Sequence, residues 1–237
     1  MIIAVKLDQL EAEGFHVVDR YLDPAVTDAL IAHLECLPID ALETSARVKR
    51  GVVFARRNLL SADYIQRFID SDSVQSLVNL ISPGSMAVRA ILFDKTGDAN
   101  WTVPWHQDRS IAVRQRIEVV GFGPWSEKAG VIHVQPPVEL LKQMVTLRFS
   151  LDACGIDQGP LRVVPQTHHR ILDGGEVGRT VARQPQHYCT TAAGGVVIMR
   201  PLVLHASSPA KQARHRRVLH MEFGPPALPG GLQWALT

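Results

Sequence analysis

The sequence predicts an α+β, mainly β, fold in which N-terminal helices pack on one face of a β sandwich or barrel. Three observations point there. Apolar residues recur at helical spacing before residue 85, and short apolar runs separated by turns take over after it. Neither a linker nor an internal repeat interrupts the 237 residues. A chain of this length suits one large β-rich unit, so residues 1–237 read as a single domain.

Taken in order, Gly14-Phe15-His16-Val17-Val18 reads as a short strand. A helix follows, with Asp23 as its N-cap and Pro24 in the first turn. Val26, Leu30, Ile31, Leu34 and Leu37 form its apolar face. A second helix starts at Ser73, runs through Val74, Leu77, Val78 and Ile81, and stops at Pro83-Gly84. The clearest strands are Ala87–Phe93, Val145–Leu151, Leu161–Val164, Gly195–Met199 and Arg217–Phe223. The interval Arg109–Gln143 is long, rich in glycine and proline and without a strong period, which predicts a lid or binding loop. Gly174-Gly175 marks a further loop.

Composition narrows the class. Lys and Arg number 25 against 23 Asp and Glu, a net charge of +2, which lacks the basic excess of a dedicated nucleic-acid binder. Cys36, Cys154 and Cys189 are odd in number, widely spaced and without a CxxC pair, so neither a disulfide framework nor a thiolate zinc site follows. The N-terminal apolar run is broken by Lys6 and Asp8, too early for a signal sequence. No stretch nears the ~20 apolar residues of a membrane span. The expectation is a cytoplasmic protein with reduced thiols and no membrane partner.

The chemistry concentrates in Trp105-His106-Gln107-Asp108. On an extended backbone His106 and Asp108 project to the same side, so an imidazole and a carboxylate can share one metal ion. His205, delivered by an apolar strand and Pro201, is the candidate second histidine. Two histidines and one carboxylate on one face of a metal leave three positions open, which suits non-haem Fe(II); zinc hydrolase chemistry could use the same ligands. Arg216 favours iron. It opens a strand in which Leu219, Met221 and Phe223 form one apolar face. Arg216, Val218 and His220 then point into the barrel. An inward guanidinium needs a partner, and the distal carboxylate of 2-oxoglutarate supplies one.

Trp105-His106-Gln107-Asp108, Gly159-Pro160-Leu161-Arg162 running on to Thr167-His168, and His205-Ala206-Ser207 with Arg216 together resemble the phytanoyl-CoA dioxygenase family of Fe(II)/2-oxoglutarate oxygenases. The opening Gly14–Val18 strand and the helix after it are similar too, so the resemblance covers nearly the whole chain. It implies a double-stranded β-helix (jelly roll) with N-terminal helices packed on one sheet. It also implies iron bound by His106, Asp108 and His205, with 2-oxoglutarate and O2 as co-substrates. Arg216 would anchor 2-oxoglutarate, with Ser207 and Arg148 near it. Two positions depart from the family pattern: Gln166 replaces a usual glycine, and Arg148 stands where relatives carry an aromatic or aliphatic residue. Halogenating relatives replace the carboxylate ligand, so Asp108 favours hydroxylation.

Trp105, Gln107, Trp125, His133 and Gln135 are candidate substrate contacts, each with an equal claim as a packing residue. Arg214 and Arg217 read as surface charges, and His220 as either a cavity or a core histidine. The expected partner is a small molecule, polar or acidic by virtue of Arg148 and the arginines of the 109–143 interval. A non-oxidative jelly-roll protein that binds a metal or small molecule is the alternative. An Arg216 directed at the metal counts against it.

Overall fold

The computed structural model describes residues 5–38, 46–49, 51–128, 130–211 and 215–235. Helix α1, Leu7–Glu13, ends at Gly14 in a left-handed cap (φ 83°) whose N–H donates to Leu10 O. Strand β1, Phe15–Val18, leads to α2, Pro24–Cys36. Asp23 caps α2 as expected, accepting from Ala25 N at 2.8 Å, and Pro24 takes a place where no amide hydrogen is missed. Strands β2 (Ala46–Lys49) and β3 (Val52–Arg56) form a hairpin, followed by α3 (Asp63–Ile69) and α4 (Asp72–Ile81). The sequence signals only α4 and caps it at Ser73. The observed cap is Ser71, with an extended backbone, and α3 is too short to display a helical period.

Next come β4 (Met86–Lys95), β5 (Val103–His106), β6 (Ile111–Val113), β7 (Trp125–Lys128), β8 (Val131–Val134) and α5 (Val138–Lys142). The chain continues through β9 (Val145–Ser150), β10 (Leu161–Val164), α6 (Gly174–Arg183), β11 (His187–Cys189), β12 (Val196–Met199), β13 (Leu204–Ser207) and β14 (Arg216–Gly224).

The seven-stranded sheet runs β1-β12-β9-β14-β4-β3-β2, and the four-stranded sheet β11-β10-β13-β5. Every pairing is antiparallel, and the two sheets make the jelly roll. The helices cover the outer face of the larger sheet. Leu30 and Leu34 of α2, Phe68 of α3 and Leu77 of α4 bury themselves against Phe149, Leu219, Met221 and Phe223. Alternation then sends Arg216, Val218, His220 and Glu222 to the inner face, toward the smaller sheet. That inward set is what positions the site.

The interval 109–143 is folded rather than an open lid. Strands β6-β8-β7 form a third sheet, and Ile111, Val113, Val134 and Leu141 are buried with Leu232 and Trp234 from the C-terminal tail. Each strand is only three or four residues long, too short to show a period between the prolines and glycines. Gly174-Gly175 likewise opens α6 instead of forming a loop. Asp173 and Glu176 cap it reciprocally, at 2.7 and 2.9 Å, which offsets the helix cost of the two glycines.

Arg217 is not a free surface charge. Its Nε and Nη2 hold both oxygens of Asp152, at 2.9 and 2.7 Å, and Nη1 pairs with Glu35, tying the start of β14 to α2. Arg214 lies outside the described residues. Cys36, Cys154 and Cys189 are free thiols, and among the described residues no helix is long and apolar enough to cross a membrane.

Candidate metal centre

His205 on β13 and His106 on β5 are cross-strand partners, with ring centroids 4.2 Å apart. Asp108 lies two residues past β5, where its N–H donates to Pro201 O at 2.9 Å. His106 Nε2 is 3.6 Å from Asp108 Oδ1, and His205 Nε2 is 3.6 Å from Oδ2. These separations exceed hydrogen-bond length, yet one donor atom from each residue falls within 4.8 Å of the others. They match the spacing across one ion with ligand bonds of about 2.0–2.2 Å.

Protonation suits the same role. His106 Nδ1 lies 2.8 Å from Pro104 O and His205 Nδ1 lies 2.9 Å from Val203 O. A carbonyl only accepts, so each Nδ1 carries the hydrogen and each neutral ring turns a bare Nε2 lone pair to the centre. Burial pushes His205 down to about 4, against the pull of Asp108. Burial alone would raise the Asp108 carboxyl; His205 and His106 outweigh it and hold it well below the ordinary carboxylate range. His106 moves the other way, raised by Asp108 in spite of its burial. The donor set of two imidazoles and a carboxylate fits a non-haem iron.

The triad opens on a cleft between the two sheets, lined on the facing wall by residues of β4, β9 and β14. Arg216, Arg148 and Ser207, all expected near the co-substrate, line it. Arg216 is buried with its Nε left without a hydrogen-bond partner, the kind of vacancy a bidentate carboxylate satisfies.

Lys95, which the sequence reading missed, stands opposite Arg216 in the β4–β14 ladder. It is fully buried, and its Nζ donates to Ser207 Oγ at 3.0 Å and Ser208 O at 2.7 Å. Burial, then Arg216 and Arg148, push it down to about 7. The signal was available. Extending the alternation of strand Ala87–Phe93 by two residues puts Lys95 on the face of Ile91 and Phe93.

A polar chain continues from there. Arg148 Nη1 donates to His220 Nδ1 at 2.7 Å, because arginine has no acceptor. His220 Nε2 then donates to Glu222 Oε1 at 3.1 Å, and Arg89 Nη1 reaches the same oxygen at 3.1 Å. His220 is therefore a cavity residue held neutral chiefly by burial.

None of the five expected substrate contacts lines this cleft. Gln107 is consumed internally: its Nε2 donates to the carbonyls of Thr167, Arg170 and Leu202, and its Oε1 accepts from Leu172 N. Trp105 packs beside Leu172 and Leu204, under the Arg162 guanidinium at 5.1 Å. Trp125 packs in the third-sheet cluster with Arg116 over its ring, and Gln135 is held by backbone bonds to Gly123 and Pro124. His133 is also off the cleft lining. It is buried within electrostatic reach of Arg89, Lys128 and Glu222, its Nε2 unpartnered. Two arginines of this interval are engaged elsewhere, Arg116 with Glu118 and Arg114 with Gln233.

Fold and donor set together define a non-haem metal protein of the jelly-roll type. The phytanoyl-CoA dioxygenase (PhyH) family profile matches residues 10–218. The chain belongs to that family of iron- and 2-oxoglutarate-dependent oxygenases and is an oxidoreductase, not the non-oxidative binder.

Solved structures share the fold. The chain is similar to AviO1 from Streptomyces viridochromogenes Tue57, with 22% identity, a TM-score of 0.68, and coverage of 94% of this chain and 95% of that one. It is similar to apo EctD from S. alaskensis, with 12% identity, a TM-score of 0.72, and coverage of 92% and 75%. A third likeness is the epimerase SnoN in complex with Fe3+, alpha ketoglutarate and nogalamycin RO, with 14% identity, a TM-score of 0.65, and coverage of 95% and 89%. No curated protein matches the chain by sequence.

Proposed function

We propose that the protein, acting as a single cytoplasmic domain, hydroxylates a small molecule while 2-oxoglutarate is converted to succinate and CO2. The observation that carries this reading is the pairing of two features in one cleft. Three donors converge on a point on one wall, and a buried arginine with an unpartnered Nε faces in from the other.

His106, Asp108 and His205 would hold the iron. Iron, when bound, supplies the redox chemistry that couples O2 and 2-oxoglutarate to oxidation of the substrate. The chain's own part is placement. The carbonyls of Pro104 and Val203 keep both Nε2 atoms aimed inward, and Asp108 stays ionised as a ligand must. Arg216 would take the distal carboxylate of 2-oxoglutarate as a fork, with Lys95 adding charge, and Ser207 and Arg148 beside them. Their burial excludes water from that end. Retention of Asp108 favours hydroxylation over halogenation.

Incubation with Fe(II), 2-oxoglutarate, O2 and a panel of small molecules tests the reading through stimulated succinate release. Asp108→Ala is expected to release none. A folded wild-type protein that develops no visible charge-transfer absorption with Fe(II) and 2-oxoglutarate, in the absence of O2, overturns it.

A further inference from the structure

The cleft carries more positive charge than iron and 2-oxoglutarate account for. Arg57, Arg89, Lys95, Arg148 and Arg216 line it, against Asp108 and Glu222 as the only acids in the lining. A divalent cation and a dianion cancel, so an excess of cations remains whether or not Lys95 is protonated. Charge of one sign gathered in a half-buried cleft draws a counter-ion.

Part of the excess lies at the end remote from Arg216, where Arg57 and Arg89 face a single acid, Glu222. Arg216 and Glu222 are six residues apart on β14, roughly 20 Å at strand spacing. A five-carbon dicarboxylate held by Arg216 reaches about 7 Å, the span of two extended residues. Arg89, the cross-strand partner of Glu222, is beyond that reach.

Arg57 belongs to the same far end. It follows β3, whose register on β4 (Ala55 with Phe93, Arg56 with Leu92) carries it toward Ile91. Its Nε is buried with no hydrogen-bond partner, and burial, then Arg89 and Arg47, press its pKa down. Lys128 of β7 is pressed down by burial, then by Arg89 and Arg57. The nearby acid, Glu222, is already shared between Arg89 and His220, and Asp108 faces the metal position.

We propose that the substrate carries an oxyanion, a carboxylate or a phosphate, received by Arg57 and Arg89 at the end of the cleft remote from Arg216. The anion then fixes which substrate carbon lies over the metal position. The guanidinium pair acts as a specificity device as well as a source of affinity.

The proposal rests on the oxygenase reading for the contents of the inner end, and the test separates the two. Anaerobic protein saturated with Fe(II) and 2-oxoglutarate is titrated calorimetrically with hexanoate, hexyl phosphate, hexanol and hexylamine. One or both acids are expected to bind, the tighter one naming the oxyanion, while the alcohol and amine do not. Arg57→Gln and Arg89→Gln should each weaken the acid by about tenfold or more, with Arg57→Lys recovering part of the loss. Circular dichroism checks that each variant is folded, and rising salt should weaken wild-type binding in parallel. Equal binding of hexanol and the acids, no binding by either acid, or salt-insensitive binding overturns the proposal. So do folded glutamine variants that bind like wild type. Absence of the chelate absorption sinks the oxygenase reading alone; the metal-free protein must then still prefer acid to alcohol through Arg57 and Arg89.

Discussion

His106 and His205 face one another across a single rung of the β5–β13 ladder, and each donates its Nδ1 hydrogen to the carbonyl two residues before it. The two rings are thus fixed by the same local device, with no side chain needed to set the tautomer. Removing either imidazole leaves two donors, while the backbone that aimed it stays in place. His205→Ala should therefore fold and weaken Fe(II) by about a hundredfold or more, measured by competition with a coloured chelator. Retained wild-type affinity would exclude His205 as a ligand.

Lys95 makes stability depend on pH in a set direction. The folded protein releases its proton at about 7, whereas the unfolded chain keeps it to the ordinary value of 10.5. Between these values the unfolded state binds more protons, so the metal-free protein gains stability as pH rises from 7 toward 10.5. Urea unfolding at several pH values should show this slope, and Lys95→Met should flatten it.

The same residue links pH to co-substrate. Below about 7 Lys95 is a cation beside Arg216; above it the charge fades. The dissociation constant for 2-oxoglutarate should therefore rise as pH climbs through 7, read from anaerobic titration of the chelate absorption. In Lys95→Met the affinity should stay near the weaker value that wild type reaches at high pH and lose this dependence. A flat wild-type profile would place 2-oxoglutarate away from Lys95.

Gln107→Leu leaves the carbonyls of Thr167, Arg170 and Leu202 and the N–H of Leu172 without their partner. Leaving buried polar groups unpaired costs about 3 kcal/mol. Urea unfolding should show that loss, and a change under about 0.5 kcal/mol would mean that water replaces the side chain fully.

Gly14 has φ 83°, and a Cβ there would sit 2.4 Å from His168 Nδ1. Gly14→Ala combines backbone strain with a clash and should cost about 2 kcal/mol or more. Adding His168→Ala removes the clash alone, so the double variant should recover only part of the loss. Thermal melts of the four proteins measure the coupling.

Much of this architecture could be read from alternation. In β14 the apolar residues Leu219, Met221 and Phe223 meet the helices, and Arg216 and His220 turn inward as their spacing requires. What failed was whatever depended on short elements or on knowing which face of a strand meets the cavity. Strands β6 to β8 are too brief to outvote their prolines. Arg89 and Lys95 of β4, and Glu222 of β14, resemble solvent-facing charges until the second sheet closes over them. Gln166 is the reverse case. The turn keeps the left-handed conformation (φ 63°) of the glycine that is usual there, and Gln166 N donates to Glu13 O. Tertiary contact holds the conformation that composition alone disfavours.

Gln107 sits between two ligands in sequence, and its amide is spent on two other stretches of chain, residues 167–172 and Leu202. The metal-bearing strand is thereby pinned from within, independently of whatever surrounds the cleft mouth. Residues around Arg57 and Arg89 are free to vary over evolutionary time, or in a directed library, without loosening the ligands. New substrates can be acquired at one end of the molecule while the oxidising end stays fixed.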